Sequence, residues 1–236
     1  MPEINKFLTF LGLLGSGACH QRAYTTFYLG SFYMPVCTRC SGIYTGFIIS
    51  LILIYAIDRR LKSRLPGKKT VMILVSFFGI MVIDALISLV KIFPPHIDNM
   101  LRFITGFCTG WFLPLLLLPL KNSIIFKTEA IFQKSYLSGK WQFICWISAG
   151  IVFLTVFFLT CAYRGAVLFY SALSIAGLVI LIAELLIILF FAPVKRLRNS
   201  LSPGLKYTGF VALSVIAAFS FILASAFLKL LVYKYL

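Results

Sequence analysis

Long apolar runs alternate with short polar segments along the whole chain. Six runs have roughly the 20 residues with which a helix crosses the hydrocarbon core of a bilayer. A shorter apolar stretch, Ile4 to Ala18, is interrupted by glycines and can cross the membrane, re-enter it or lie in the interface. The pattern therefore predicts an all-α, polytopic transmembrane helix bundle with six spans and a short N-terminal hydrophobic segment. The six runs are residues 41–57, 70–92, 100–120, 141–163, 166–192 and 207–228.

The composition supports the membrane class. Hydrophobic residues make up 61% of the 236 residues and charged residues only 12%, whereas soluble domains carry about 25% charged residues. The formal net charge of +16 comes from 22 Lys and Arg against 6 Asp and Glu. In a membrane protein, an excess of basic residues first indicates which connections are cytoplasmic. We therefore expect the lipid bilayer as a partner and no nucleic acid. The sequence does not indicate an oligomeric state.

The basic residues concentrate in three connections between spans. By the positive-inside rule these connections are cytoplasmic, which predicts a multi-pass protein of the cell (inner) membrane. The segment from the CHQ motif to the CTRC motif is then extracytoplasmic, as are the Phe93–His96 connection and the Cys161–Gly165 turn. Lys229 and Lys234 also end outside, a mild violation of the rule. The cytoplasmic set is Arg59, Arg60, Lys62, Arg64, Lys68, Lys69, Lys121, Lys127, Lys134, Lys140, Lys195, Arg196, Arg198 and Lys206.

Few ionisable side chains lie within the predicted spans, where such groups are costly. Asp84 and Glu184 are the two carboxylates well inside spans, and Arg102 lies near the start of the third span. The helical rise places Asp84 and Arg102 at similar depths below the outer surface. We therefore expect these two side chains to pair across adjacent antiparallel helices; a purely structural ion pair is the alternative interpretation.

Small residues form stripes on two of the predicted helices. Gly42, Gly46 and Ser50 share one face of the first span, and Asn99, Arg102, Gly106 and Gly110 share one face of the third. Such stripes allow two helix backbones to approach closely. A close crossing would bring the cysteines, Asp84, Asn99 and Arg102 toward one outer cavity, although small-residue packing without a site is the alternative.

Four candidate metal ligands lie in the outer segment: Cys19, His20, Cys37 and Cys40. Thiolate and imidazole are the donors that zinc prefers, and four of them can complete a tetrahedral site, while three leave a position open for water. The Cys37-x-x-Cys40 pair also suits thiol–disulfide chemistry, or a simple disulfide, because an extracytoplasmic segment tolerates disulfides. His96 and Asp84 are candidate substitutes for a missing ligand.

These motifs also resemble a known family. "GACHQ", "MPVCTRCSGIYTG", "DALISL" and "NMLRFITGFCTG" are similar to an uncharacterised prokaryotic family of multi-pass membrane proteins, a domain of unknown function, over about residues 12–120. The family often has Arg-Ser-Phe where this chain has Thr25-Thr26-Phe27, so a second basic group beside the cluster is not implied. The resemblance implies no particular activity. The positions that match are Cys19, His20, Gln21, Cys37, Arg39, Cys40, Gly42, Tyr44, Asp84, Asn99, Arg102 and Gly106.

The extent of the resemblance suggests a division of the chain. Residues 1–120 would form the family-like membrane core with the Cys/His motif, and residues 121–140 a cytoplasmic basic loop. Residues 141–236 would form an appended three-helix membrane bundle, in which Glu184 is the interior ionisable group.

Besides a thiol–disulfide redox protein that uses Cys37 and Cys40, three functions remain open at this point. The first is a metal-dependent membrane hydrolase or transferase for a lipid or lipid-linked anionic substrate. In it, Asp84 acts as a general base or orients water, and Arg102 with Asn99 clamps phosphate or pyrophosphate. The second is a transporter or metal carrier, in which Asp84 and Glu184 mark the path of the ion. The third is a structural membrane protein in which the cluster joins the helices.

Overall fold

A computed structural model describes residues 2–29, 32–90, 94–161, 163–194 and 198–235. Within these residues the chain is built almost entirely of helices, joined by two short 3₁₀ turns and one pair of two-residue strands, in which Tyr28 pairs with Tyr33 and Leu29 with Phe32. The helices are α1 Pro2–Ser16, α2 Thr38–Ile57, α3 Lys68–Val90, α4 Pro95–Ile125, α5 Lys140–Thr160, α6 Arg164–Phe191 and α7 Leu205–Tyr235.

Helices α2 to α7 are long and apolar enough to cross a membrane, which confirms the six predicted spans. Helix α1 has 15 residues, so its length of about 22 Å falls short of a bilayer core. It packs through Leu11 and Leu14 into one cluster with Ile175 and Leu178 of α6 and Ile222 of α7.

The bundle has two chemically different ends. We call the end formed by residues 17–29 and 32–37, the start of α4 and the last turns of α7 the motif end. The opposite end, formed by residues 58–67, 126–139, 192–194 and 198–204, is the basic end. There the connections bridge one another, Lys62 with Phe132 and Phe126 with Leu201. Lys91, Ile92 and Phe93 of the predicted outer connection, Ala162, and Lys195 and Arg196 lie outside the described residues.

Helices α2 and α4 cross in close contact, as the small-residue stripes predict. A side chain at Gly42 or Gly46 would collide with the α4 backbone at Phe103 or Phe107. Conversely, a side chain at Gly106 would collide with the backbone of Arg39 in α2. The tight crossing therefore fixes the first turn of α2, which carries Cys40, against α4.

Aromatic side chains fill the space between α4 and α5. Phe103 stacks on Phe157 with ring centroids 3.9 Å apart, and Trp111 lies 5.2 Å from Trp146. The Trp146 indole N–H also donates to Ser50 Oγ at 3.1 Å, which ties α5 to α2. These contacts make α2, α4 and α5 a rigid support for the motif end.

Helix α3 lies at the surface of the bundle, whereas helix α6 packs against α2 in its interior. None of the residues of α3 from 68 to 88 is buried, and this helix packs chiefly on α4. Helix α6 lies against α2, where the Thr45 and Ser174 hydroxyls are 3.0 Å apart and a side chain at Gly177 would collide with the backbone of Tyr44. Although α6 contacts the core directly, the division at residue 141 stays a prediction.

Candidate metal centre and arginine cavity

The CHQ segment adopts an irregular backbone that lets neighbouring side chains converge. Gln21 has a φ of 50°, an uncommon conformation for a residue other than glycine. Its side-chain amide donates to the carbonyl oxygens of Gly12 and Pro35, both at 2.6 Å. The glutamine of the motif therefore fastens the loop to α1 and to the segment that precedes α2.

Three of the four predicted metal ligands come together around one point. The donor atoms of Cys19, His20 and Cys37 all lie within 4.8 Å of one another. Cys19 and Cys37 are buried, whereas His20 is exposed. Cys37 occupies the N-cap position of α2, and its backbone N–H donates to the Cys19 sulfur at 3.2 Å. Among the described residues, this is the group in which three or more His, Cys, Asp or Glu side chains lie close enough together to hold a metal ion.

The fourth predicted ligand, Cys40, is not among the three donors that lie within 4.8 Å of one another. The neighbouring Cys37 and Cys40 thiols hold the pKa of the Cys19 thiol well below its ordinary value. The contact with Cys19 raises the pKa of Cys37. The geometry thus offers two ligand sets, one with His20 and one with Cys40, which share Cys19 and Cys37.

Helix α7 contributes anchors that the sequence did not indicate. The Lys229 ammonium donates to the carbonyl oxygens of Cys19 at 2.9 Å and Ser16 at 3.3 Å. The Ser225 hydroxyl donates to the carbonyl oxygen of Gly17 at 2.7 Å. Lys229 had counted only as a violation of the positive-inside rule; in the structure it secures the backbone beneath the cysteine cluster.

The predicted direct pair between Asp84 and Arg102 is wrong. Asp84 accepts from Arg39 of α2, with Nη2 and Oδ2 2.5 Å apart. Arg102 pairs instead with Asp98 on its own helix, at 2.7 Å. The reason is that α2 lies next to α4 and extends the long Arg39 side chain across to α3.

The two ion pairs are nevertheless linked. Arg102 Nε donates to Ser88 Oγ at 3.1 Å, and Ser88 Oγ lies 2.8 Å from both the Asp84 carbonyl oxygen and Asp98 Oδ1. Asp98 and Ser88 were not selected from the sequence. Their spacing gave a signal, since Asp98 precedes Arg102 by four residues, a typical helical ion-pair distance.

Asn99 of α4 hydrogen-bonds to the loop after CHQ and to α2 rather than lying with Arg102 in the wall of one cavity. Its amide nitrogen donates to the Tyr24 carbonyl oxygen at 3.3 Å, and its Oδ1 lies 3.2 Å from the Thr38 hydroxyl. Thr38 also donates to the Thr25 carbonyl oxygen at 2.9 Å. Asn99 thus connects the loop after CHQ to α2 and α4.

A cavity of about 380 Å³ opens beside the cluster. His20 and Cys37 form part of its wall, together with three arginines. Asp84 is not part of the lining, but it forms an ion pair with Arg39, which is. The lining residues are His20, Arg22, Tyr24, Thr25, Cys37, Arg39, Ala85, Leu86, Ser88 and Arg102.

The remaining candidates lie elsewhere. Asn99 and His96 line a neighbouring cavity of about 470 Å³, which shares Tyr24 with the first cavity. Glu184 is paired at the basic end with Lys121, whose ammonium lies 2.9 Å from Oε1 and 2.8 Å from Oε2. The structure therefore brings together Cys19, His20, Cys37, Cys40 and Arg102, with Asp84 one side chain away.

These features define a polytopic helical membrane protein with a Cys/His cluster that could hold a metal ion. The sequence profile of the family described as predicted membrane protein (DUF2085) matches residues 19–116, which include every candidate ligand. The chain belongs to this family, as its similarity to an archaeal relative shows.

Two relatives come from archaea. An uncharacterised protein of Methanocaldococcus jannaschii is 33% identical over 131 residues, which cover 54% of this chain and 81% of that protein. An uncharacterised protein of Methanothermobacter thermautotrophicus is 29% identical over 119 residues, 45% of this chain and 90% of that protein. No solved structure matches the chain. The profile match includes the motif-end residues from Cys19 to Arg102, whereas Lys229 and Ser225 lie outside it.

Proposed function

We propose that this protein is a metal-dependent membrane hydrolase or transferase that acts on a lipid or lipid-linked anionic substrate. The observation that carries the proposal is the juxtaposition of two features in one wall. His20 and Cys37, two of three donors within 4.8 Å of one another, line the same cavity as Arg22, Arg39 and Arg102.

Zinc is the metal that the donor set favours. Two buried thiols with an imidazole or a third thiol match its preference for sulfur and nitrogen in a tetrahedral arrangement. Cys19, His20 and Cys37 would hold the ion as three protein ligands, and zinc bound in this way would supply an activated water molecule. If Cys40 were a fourth ligand, the site would instead be a structural joint between the loop and α2.

The motif end faces the extracytoplasmic side in this proposal. The three basic connections meet at the opposite end of the bundle, and the positive-inside rule assigns that end to the cytoplasm. A substrate would then reach the cavity from the outer leaflet of the cell membrane, since Leu86 of the lipid-exposed helix α3 forms part of the cavity wall.

The polar side chains around the cavity have distinct proposed roles. Arg102 binds the anionic part of the substrate. Asp84 remains the candidate base of the sequence interpretation, and its ion pair with Arg39 favours a second role, in which it orients that guanidinium. Asn99 keeps the loop with Tyr24 in place.

Thiol–disulfide exchange is the second candidate. It is favoured by the mutual contact of the Cys19, Cys37 and Cys40 sulfurs, with a Cys-x-x-Cys pair at a helix start. Transport is less favoured, because Glu184, the carboxylate that would extend an ion path, is held by both of its oxygens to the buried Lys121.

Metal and thiol counts on the purified protein test the proposal. We expect about one zinc per chain with reduced cysteines after purification without chelators. Cys37→Ser removes a ligand common to both sets, so its zinc content should fall well below that of the wild type. Elemental analysis and thiol titration provide the readouts.

Cys145→Ser is the matched control, because Cys145 is exposed on α5 and separate from the cluster. Its zinc content should equal that of the wild type. A wild-type protein without metal and with a disulfide between two of the three motif cysteines would transfer the assignment to the redox candidate.

A further inference from the structure

Three arginines from separate parts of the chain line the cavity beside the cluster. Arg22 comes from the loop after CHQ, Arg39 from the first turn of α2 and Arg102 from α4. Arg102 is buried, Arg39 is partly buried and Arg22 is exposed. Burying a guanidinium group is costly unless its N–H groups have acceptors, so the acceptors of the two less exposed arginines matter most.

Each of these guanidinium groups has a partner at one terminal nitrogen. Asp84 engages Nη2 of Arg39, and Asp98 engages Nη2 of Arg102. Arg22 Nη1 donates to the Tyr24 hydroxyl at 2.9 Å.

Two buried N–H groups also lack acceptors. The Arg102 side chain is only 6% exposed, yet its Nη1 has no hydrogen-bond partner among the described residues. Arg39 Nε is likewise buried and without an acceptor in the described part of the chain. Buried donors of this kind are rare in proteins and cost free energy, so their presence in a cavity wall points to an acceptor supplied by a ligand.

We infer that Arg22, Arg39 and Arg102 form a subsite for a phosphoryl group, present as a phosphate monoester or a diphosphate. Such a group carries about two negative charges and three terminal oxygens, and the planar fork of arginine binds these oxygens in pairs. The orphaned N–H groups of Arg39 and Arg102 match the acceptor oxygens of this ligand. Arg22 and Arg39 take the place beside Arg102 that the sequence interpretation gave to Asn99.

The role of the metal centre beside this subsite rests on the proposed function. Because His20 and Cys37 share the cavity wall with the arginines, a bound phosphoryl group would lie beside the metal centre. The phosphoryl group can belong to a lipid headgroup or to a free phosphate compound, since the arginines recognise the same oxygens in both.

Binding of two phosphate probes to the intact protein tests the inference and separates these sources. Protein in nanodiscs of zwitterionic lipid is titrated with inorganic pyrophosphate by calorimetry. In a parallel arm, nanodiscs that contain phosphatidic acid are analysed for lipid retained by the protein. Binding of both probes indicates a general phosphoryl subsite, and retention of phosphatidic acid alone indicates a lipid headgroup site.

Arg102→Met and Arg22→Met should each weaken binding by about tenfold or more, since a charge-assisted pair is lost. Arg22 is exposed, so its variant decides the outcome if Arg102→Met fails to fold. Arg198→Met, at the exposed basic end, is the matched control and should bind as the wild type does. Unchanged binding in Arg22→Met, or no binding of either probe by the wild type, overturns the inference.

The same preparations distinguish this inference from the proposed function. Phosphoryl binding that persists in a protein shown to hold no metal leaves the subsite standing and removes the metal-dependent activity. Stoichiometric zinc with no binding of either probe removes the subsite and leaves the metal centre.

Discussion

The two ends of the bundle both bury charged side chains, but they do so in different ways. At the basic end, Lys121 is only 1% exposed and donates to Glu184 Oε1, with Oε2 2.8 Å from its ammonium. At the motif end, Arg39 and Arg102 line a cavity, and each retains a buried N–H that has no acceptor among the described residues. The unpaired buried atoms beside the basic-end pairs include acceptors, Glu184 Oε2 and Asn122 Oδ1, whereas those of the two arginines are donors in a cavity wall, which suits an anionic ligand.

The surroundings of the basic-end pairs support this contrast. Lys62 Nζ lies 2.5 Å from Asp58 Oδ2. The Asn122 side-chain amide donates to the Lys62 carbonyl oxygen at 2.8 Å and to the Tyr136 hydroxyl at 3.0 Å. These bonds join the connection after α2 to the connection after α4. The charges there therefore fasten the loops of the basic end to the helices.

The largest expected effect comes from breaking the pair between α4 and α6. Lys121→Met leaves Glu184 buried without its cation, which should lower the free energy of unfolding by about 3–5 kcal/mol. Unfolding by denaturant in detergent micelles provides the measurement. The double variant Lys121→Met/Glu184→Leu should recover most of the loss, because an apolar pair removes the uncompensated charge. A single variant as stable as the wild type would contradict the structural role of the basic end.

An intermediate effect is expected at the motif end, where Lys229 supports the cluster from α7. Lys229→Met removes two hydrogen bonds from a charged donor, so zinc affinity should fall about tenfold, while Lys229→Arg should retain most of it. Competition with a chelating dye measures the affinity. Lys206→Met, at the opposite end of the same helix, is the control. Equal zinc affinity in Lys229→Met and the wild type would separate α7 from the metal centre.

The smallest effect is expected for an exposed contact at the basic end. The Arg60 guanidinium lies 4.8 Å from the centre of the Phe132 ring, and such exposed contacts contribute about 0.5–1 kcal/mol. Arg60→Ala should therefore change the thermal unfolding midpoint slightly and leave zinc and pyrophosphate binding unchanged. Loss of either ligand in this variant would show that the two ends are coupled.

Much of the fold could be predicted because the bilayer imposes simple requirements. Each span must be apolar over about 20 residues, and the runs in the sequence meet this condition without ambiguity. The stripe of Gly42 and Gly46 predicted its crossing with Gly106 and Gly110 equally well, since close backbone approach depends on small residues alone.

The partners of charged side chains could not be predicted in the same way. Asp84 and Arg102 have matching depths, but the rotation of α3 and the reach of Arg39 decide which guanidinium meets Asp84. Lys121 was assigned to a cytoplasmic connection because α4 was expected to end at residue 120; the helix continues to Ile125, which places Lys121 beside Glu184. Depth follows from sequence, whereas the direction of a side chain depends on packing.

The anchoring of Cys19 by Lys229 has a consequence for biogenesis. The two residues are separated by 210 positions in sequence, so a ribosome must translate α2 to α7 before Lys229 can reach the cysteine loop. The loop leaves the ribosome before five further helices are inserted. A nascent chain stalled before α7 would therefore expose the thiols of this loop without that support.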